Sequence, residues 1–139
     1  MPTSLTRRIA FAAAHRYRVA AWSDERNTAT FGLCARPNYP GHSYVCDVTV
    51  TGPIDPVTGF VVDLGVLDAA LQHEVRDRFD HANINLDVPE FADGGLIPTG
   101  ENLARFIAER VQAALGRAAV VTRVTVAEDA TLSATYEPD

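Results

Sequence analysis

Two histidines, His15 and His42, each stand at one end of a stretch in which apolar and polar residues alternate. His15 closes the first stretch and His42 opens the second, so pairing of the two stretches as neighbouring strands would bring the imidazoles together. Neutral imidazoles suit tetrahedral zinc, and the pair is therefore a candidate metal site. Two histidines that share no motif are also common as ordinary polar residues, and the spacing by itself leaves both interpretations open.

Three further residues carry side chains that can move a proton. Cys34 lies two residues before Arg36, and a nearby cation lowers the pKa of a thiol and makes it a competent base or nucleophile. Asp80 precedes His81, and a carboxylate can tune an imidazole that titrates near neutrality. Adjacent side chains meet only across a turn, so Asp80 and His81 could equally be a polar pair that ends a helix.

Glu128 lies on the same face of a predicted strand as Val124 and Val126. A carboxylate on an apolar face needs a partner that offsets the loss of water. Either a structural arginine or the amidine group of a ligand would make such a charge-assisted contact.

These residues must be positioned by a small set of strands and helices. Alternation predicts strands over 5–15, 42–52, 120–128 and 132–136, and a hairpin turn at 53–59 leading into a strand at 60–62. Asp63 and Thr99 are plausible caps of two helices with apolar stripes, the second ending at Gly116. The segments 16–41 and 80–98 look irregular. This order predicts an α+β fold with an antiparallel sheet covered by helices on one face.

The composition narrows the classes of function. The chain has 139 residues, with 47% hydrophobic and 22% charged, which indicates one ordinary globular domain over 1–139. Its net charge of −6 argues against nucleic-acid and anionic-membrane partners, and the absence of lysine excludes a Schiff-base or P-loop lysine. The apolar run 9–14 is too short for a signal peptide or a membrane span, so we predict a cytoplasmic protein with two reduced cysteines.

Six segments in order give the chain a resemblance to a known family. They read FAAAHR at 11–16, CARPNYPGHSY at 34–44, DPVTGFVVDL at 55–64, DH at 80–81, PTGENLA at 98–104 and VAE at 126–128. Over essentially its full length the chain resembles the 6-pyruvoyl-tetrahydropterin synthase and 6-carboxy-tetrahydropterin synthase family.

The resemblance implies a fold, an assembly and a reaction. The fold is the T-fold, a four-stranded antiparallel sheet with two helices on one face. Three sheets join into a barrel and two trimers stack as a homohexamer, with active sites at subunit interfaces. The implied enzyme is a carbon–oxygen lyase that uses zinc as a Lewis acid on 7,8-dihydroneopterin triphosphate, and eliminates triphosphate with rearrangement or cleavage of the side chain.

The resemblance also implies a role for each candidate residue. Cys34, Asp80 and His81 would be catalytic, and His15 and His42 would hold the zinc. Thr99, Gly100, Glu101 and Glu128 would bind the pterin, with Glu128 gripping its guanidine-like edge. Arg16, Arg18 and Arg36 are candidates for the triphosphate by proximity in sequence.

One position departs from the pattern. The family's motif is His-Gly-His, whereas this chain has Pro40-Gly41-His42, and a proline side chain cannot ligate a metal. A catalytic zinc normally has three protein ligands, so the site is incomplete at Pro40, and the metal is weakly bound, completed by another residue or absent. Two alternatives to the lyase therefore stay open: an enzyme on the same scaffold with an altered substrate or reaction, and a non-catalytic pterin-binding oligomer.

Overall fold

The computed structural model describes residues 2–139, and its central feature is one β-sheet. The strands are β1 (Thr3–Ala14), β2 (Gly41–Gly52), β3 (Ala82–Asn83), β4 (Val120–Asp129) and β5 (Leu132–Tyr136). Their order across the sheet is β3-β1-β2-β4-β5. Four strands pair antiparallel, and the two-residue β3 pairs parallel with the end of β1. The sheet therefore has one short strand more than the four that the resemblance implies.

The helices are α1 (Asp24–Phe31), α2 (Leu64–Leu71), α3 (Asp77–Phe79), α4 (Ile84–Asp87) and α5 (Gly100–Leu115). A π-helical turn, Gln72–Arg76, joins α2 to α3. Two 3₁₀ turns occupy Gly32–Ala35 and Pro89–Phe91. No helix within residues 2–139 has the length and hydropathy needed to cross a bilayer.

The hydrophobic core lies between the sheet and the two longest helical segments. Cys46, Val48 and Val50 of β2 are fully buried, as are Leu103 and Ile107 of α5. This confirms the α+β class, with alternation in the strands and a three- and four-residue period in the helices each directing one face inward. Burying each such side chain contributes about 1.5–3 kcal/mol, so the sheet and α5 hold each other in place.

Local capping sets the ends of the helices as the sequence predicts. The Asp63 carboxylate accepts hydrogen bonds from the backbone N–H groups of Gly65 and Val66, and Thr99 Oγ1 accepts from Asn102 N–H. Gly116 ends α5 with a φ of 56°, a conformation that a residue without a Cβ adopts at no steric cost.

Three predictions from the pattern are wrong. The segment 80–98 is not irregular throughout, since it contains β3, α4 and a 3₁₀ turn. Residues 60–62 form no strand, because the turn closes on itself through Asp55 N–H to the Phe60 carbonyl, and Val61 and Val62 are buried beside the sheet without joining it. The segment 16–41 contains α1, which has no apolar stripe. The buried Asn27 anchors α1 instead, because its amide bonds both the N–H and the carbonyl of Val19.

Candidate active site

The pairing of β1 with β2 brings the two histidines together. Ala13 lies opposite His42 in the antiparallel register. His15 follows β1 directly, and its backbone N–H donates to the Pro40 carbonyl at 3.0 Å. The two imidazole ring centroids are 4.8 Å apart, so the convergence predicted from the sequence is present.

A third side chain joins them from a strand on the far side of β2. Glu128 lies near the end of β4, and its Oε1 is 3.1 Å from His15 Nε2 and 3.8 Å from His42 Nε2. The Tyr17 hydroxyl donates to the same Oε1 at 2.7 Å. Tyr17 was not among the residues selected from the sequence, since nothing in its neighbours indicates that it turns toward β4.

The histidines carry the features of ligands rather than of hydrogen-bonded core residues. His15 is fully buried, yet neither of its ring nitrogens has a hydrogen-bond partner within residues 2–139, and the same holds for His42 Nε2. Buried polar atoms without a partner are rare. Burial, with a smaller effect from His42, lowers the pKa of His15 to about 4, so its imidazole is neutral at pH 7 and able to bind a cation. His15, His42 and Glu128 each offer a donor atom, all within 4.8 Å of one another, and the cluster could hold a metal ion.

A cavity of about 340 Å³ opens beside this cluster. Its walls include Cys34, Thr99, Gly100, Glu101 and Glu128, together with Tyr17. The four residues predicted to bind a substrate and the predicted catalytic thiol therefore share one cavity.

The start of α5 forms one wall of the cavity. Thr99 caps the helix, and the Asn102 amide donates to the Ile97 carbonyl at 2.8 Å, which holds the preceding loop. A Cβ at Gly100 would lie 3.3 Å from the Cβ of Ala134 on β5. Glycine at this position lets the helix approach β5 closely, and this approach shapes the cavity.

Cys34 lies in the 3₁₀ turn after α1, where its carbonyl accepts from Tyr17 N–H at 2.7 Å. Burial, and then the negative charge of Glu128, raise the pKa of the Cys34 thiol. The prediction that Arg36 lowers this pKa is wrong, because burial is the main influence on the thiol, and the charge that acts on it is that of Glu128 on a strand distant in sequence.

Asp80 and His81 lie outside this cavity, between α3 and β3. Asp80 Oδ1 accepts from Ala12 N–H at 3.0 Å, and His81 N–H donates to the Ala12 carbonyl. A φ of 57° at His81 provides the turn that the pair requires, and His81 Nε2 lies 3.8 Å from Asp80 Oδ2. The His81 side chain is 85% exposed and lines a surface groove with His42. Within one chain, Asp80 and His81 thus do not line the cavity that holds Cys34.

The predicted phosphate-binding arginines are partly engaged by the chain itself. Arg16 Nε donates to the Ala35 carbonyl at 2.7 Å, which ties the segment after β1 to the Cys34 turn. Arg18 Nη2 lies 3.7 Å from Asp24 Oδ1. Their role toward a triphosphate stays a prediction.

Comparison with known proteins places this arrangement in a family. The family model for 6-pyruvoyl tetrahydropterin synthase matches residues 4–139. The chain belongs to the 6-pyruvoyl tetrahydropterin synthase family. It is 42% identical to the 6-pyruvoyl tetrahydrobiopterin synthase of Homo sapiens over 111 residues, which cover 80% of this chain and 75% of that protein. It is 36% identical to the synthase of that name from Drosophila melanogaster over 124 residues, 89% of this chain and 73% of that protein.

The structural comparison agrees. The 6-pyruvoyl tetrahydropterin synthase of Caenorhabditis elegans superposes with a TM-score of 0.92 at 32% identity, covering 100% of this chain and 97% of that one. The resemblance derived from the six segments is thus confirmed, and so is the T-fold. In this chain the T-fold also contains the short strand β3 and the helix α1.

Proposed function

We propose that this protein is a pterin-forming lyase that acts on 7,8-dihydroneopterin triphosphate. The observation that carries the proposal is a single cavity that holds Cys34 and the Thr99–Glu101 turn beside the His15 and His42 imidazoles. The synthases to which the chain is similar support the same reaction. The alternatives, an altered substrate or a non-catalytic binding protein, have no comparable observation in their favour.

The cavity offers the groups that the reaction needs. The carboxylates of Glu101 and Glu128 would accept hydrogen bonds from the guanidine-like edge of the pterin, a charge-assisted contact that orients the ring. Cys34 would take and return a proton at the substrate side chain, and the triphosphate would leave as an anion. Burial raises the pKa of the thiol and keeps it protonated in the free protein, so a base must take the thiol proton before Cys34 can accept one from the substrate; Asp80 and His81 are the candidates for that base.

A metal fits the residues that are present, because buried nitrogen atoms without hydrogen bonds converge with a carboxylate. Zinc held at His15 and His42 would supply Lewis-acid polarisation of the substrate's side-chain oxygens. The protein's own contribution there is orientation: the β1–β2 register places both rings before any ligand binds.

Asp80 and His81 have a role in the proposed reaction only if several chains assemble. His81 is exposed on a groove rather than in the cavity of its own chain. In a homohexamer, a dimer of trimers with active sites between subunits, the exposed His81 and the half-buried Asp80 beside it can complete the site of a neighbouring chain. A cytoplasmic location stays a prediction from the sequence.

The direct test is to incubate the purified protein with 7,8-dihydroneopterin triphosphate, with and without added zinc, and to identify the products by mass. We expect loss of triphosphate, and the product mass separates a 6-pyruvoyl- from a 6-carboxy-tetrahydropterin. Cys34→Ala should lower turnover by about 10²-fold or more, the scale of a general acid–base group.

The matched control is Cys46→Ala. Cys46 is the other cysteine; it lies on β2, is fully buried in the core, and has a pKa raised to about 12 by burial. This control should keep its turnover. A folded, zinc-supplemented protein that releases no triphosphate would refute the lyase, and full turnover by Cys34→Ala would remove Cys34 from the mechanism.

A further inference from the structure

We propose that Glu128 is the third protein ligand of the metal site, so that this chain holds its metal with two imidazoles and one carboxylate. The inference rests on the proposed function in taking zinc as the metal. The choice of Glu128 comes from the geometry of the described residues alone.

The first argument is distance. Zinc bonds to nitrogen and carboxylate oxygen are about 2.0–2.2 Å long, and in tetrahedral geometry two ligand atoms on one ion then lie roughly 3.3–3.5 Å apart. Glu128 Oε1 lies 3.1 Å from His15 Nε2 and 3.8 Å from His42 Nε2. These two separations bracket the spacing of atoms that share an ion, so small side-chain shifts would bring all three into contact with it.

The second argument is that hydrogen bonding does not explain the approach. Glu128 Oε1 and His15 Nε2 are close, yet their orientation is not that of a hydrogen bond, and both His15 nitrogens stay unpaired among the described residues. The His15 side chain is fully buried and that of Glu128 is 10% exposed. A buried carboxylate is stable only with a compensating charge, and an ion at this point would bind the carboxylate and one nitrogen of each imidazole together.

The third argument is the position of the chain around His42. The side chain of Pro40 has no ligating atom, and its carbonyl accepts the hydrogen bond from His15 N–H. The loop before β2 is thus held by its backbone and contributes no ligand, and the only imidazole beside it is that of His42 at the start of β2. Glu128 reaches the same point from β4, which makes the third ligand independent of this loop.

Tyr17 supports this assignment from outside the set of ligands. Its hydroxyl donates to Glu128 Oε1 at 2.7 Å, the same oxygen that faces the imidazoles. Groups that hydrogen-bond to a metal ligand fix its orientation. A carboxylate has two oxygens with about four lone-pair sites, so Glu128 can hold the ion with Oε1 and still accept a hydrogen bond from a pterin in the cavity that it lines.

The test is a competitive zinc titration against a chromophoric chelator with three proteins: wild type, Glu128→Gln and Glu101→Gln. The control, Glu101→Gln, removes the same charge from the same cavity, but Glu101 lies on α5 and outside the cluster. We expect Glu128→Gln to lose zinc affinity by at least about tenfold and Glu101→Gln to keep it. Equal affinities for wild type and Glu128→Gln would overturn the proposal.

A crystal of the zinc-loaded wild-type protein gives a measurement that does not depend on the folding of a variant. The anomalous signal of zinc should lie within about 2.2 Å of a Glu128 oxygen, and an ion bound to the histidines but separated from Glu128 by a water would overturn the proposal. Turnover of 7,8-dihydroneopterin triphosphate is measured separately. Zinc held by Glu128 without turnover would refute the lyase and leave the ligand assignment standing. Turnover with zinc distant from Glu128 would support the lyase and refute the ligand assignment.

Discussion

At the scale of single residues, the site depends on which polar atoms lack partners. His15 is fully buried, and its ring centroid lies 4.4 Å from that of Tyr17 and 4.8 Å from that of His42. Its ring is held by packing, while its nitrogens make no hydrogen bond within the described part of the chain. A ring fixed by its neighbours and unsatisfied at its nitrogens is preorganised for an added ligand, because binding requires little loss of rotamer freedom.

The role of the Tyr17 hydroxyl can be tested at the same scale. Tyr17→Phe removes the 2.7 Å hydrogen bond to Glu128 and keeps the aromatic ring that packs on His15. We expect zinc affinity to fall by roughly 10–100-fold, the usual effect of losing a group that orients a metal ligand. The measurement is the competitive zinc titration, accompanied by the thermal midpoint of the metal-free protein.

The matched control is Tyr136→Phe on β5, where the ring lies beside Arg105 and away from the cluster. It should leave zinc affinity unchanged. If Tyr17→Phe binds zinc as the wild type does, the hydroxyl does not orient the carboxylate.

At the scale of elements, one buried carboxylate connects two helical segments. Glu74 lies in the π-helical turn with a side chain only 6% exposed. It accepts from Arg78 Nε at 2.9 Å, one helical turn away, and from Arg110 Nε of α5 at 3.2 Å. The π-turn thus directs Glu74 toward α5, and the two arginines compensate a charge that would otherwise be buried without a partner.

This contact has a defined dependence on pH. Burial acts to raise the pKa of Glu74, but the hydrogen bonds from Arg110 and Arg78 outweigh it and hold the pKa below 4.5. A carboxylate whose pKa is lowered by folding stabilises the protein above its unfolded pKa, and this stability is lost as the pH falls through the folded pKa. Glu74→Gln should therefore lower the free energy of unfolding by about 1.5–3 kcal/mol at pH 7.

The measurement is urea unfolding of wild type and Glu74→Gln from pH 7 downward. We expect the difference between them to be constant well above the unfolded pKa of 4.5, and to shrink as the pH falls through that value and then through the lower pKa of the folded state. Glu109→Gln is the control, since Glu109 forms an exposed pair with Arg105 of the same helix, worth about 0.3–0.5 kcal/mol. A pH-independent difference would show that Glu74 acts through packing alone.

At the scale of the whole molecule, the sheet leaves backbone groups that the single chain does not pair. Beside β1, the strand β3 pairs only with Ala13 and Ala14, and residues 3–12 have no strand on that side within residues 2–139. Ala12 directs both its N–H and its carbonyl to that edge, toward Asp80 and His81. Long open edges promote pairing with another chain, and closure into a barrel removes them.

The proposed homohexamer gives a measurable mass. Native mass spectrometry should find a species of about six times the 15.0 kDa of one chain. Because backbone direction alternates along a strand, Thr6 shares the outward direction of Ala12, and Thr6→Pro removes an edge donor without removing a backbone hydrogen bond to β2. The hydrogen bond between the Thr6 and Thr49 hydroxyls is lost in Thr6→Pro and Thr6→Ala alike. We expect this variant to dissociate into smaller species, whereas Thr6→Ala, which keeps the N–H, stays assembled. Assembly of the proline variant like the wild type would show that this edge is not an interface.

Much of this protein follows from local sequence. The strands β1, β2, β4 and β5, the caps at Asp63 and Thr99, and the end of α5 at Gly116 were predictable, because alternation, helical period and capping each depend on neighbouring residues. The six segments were enough to indicate the family. The meeting of His15 and His42 was also predictable, since it requires only that two alternating stretches pair as neighbouring strands.

Other features were decided by tertiary structure. Glu128 joins the histidines, and raises the pKa of Cys34, only because β4 lies beside β2 in one particular register. Tyr17 reaches Glu128, and His81 turns to the surface, through loop conformations that no periodic pattern records. Contacts between residues far apart in sequence depend on strand order, register and loop path together. The sequence by itself therefore determined the four long strands, the long helices and the meeting of the two histidines. The position of Glu128 beside those histidines was decided only by the tertiary structure.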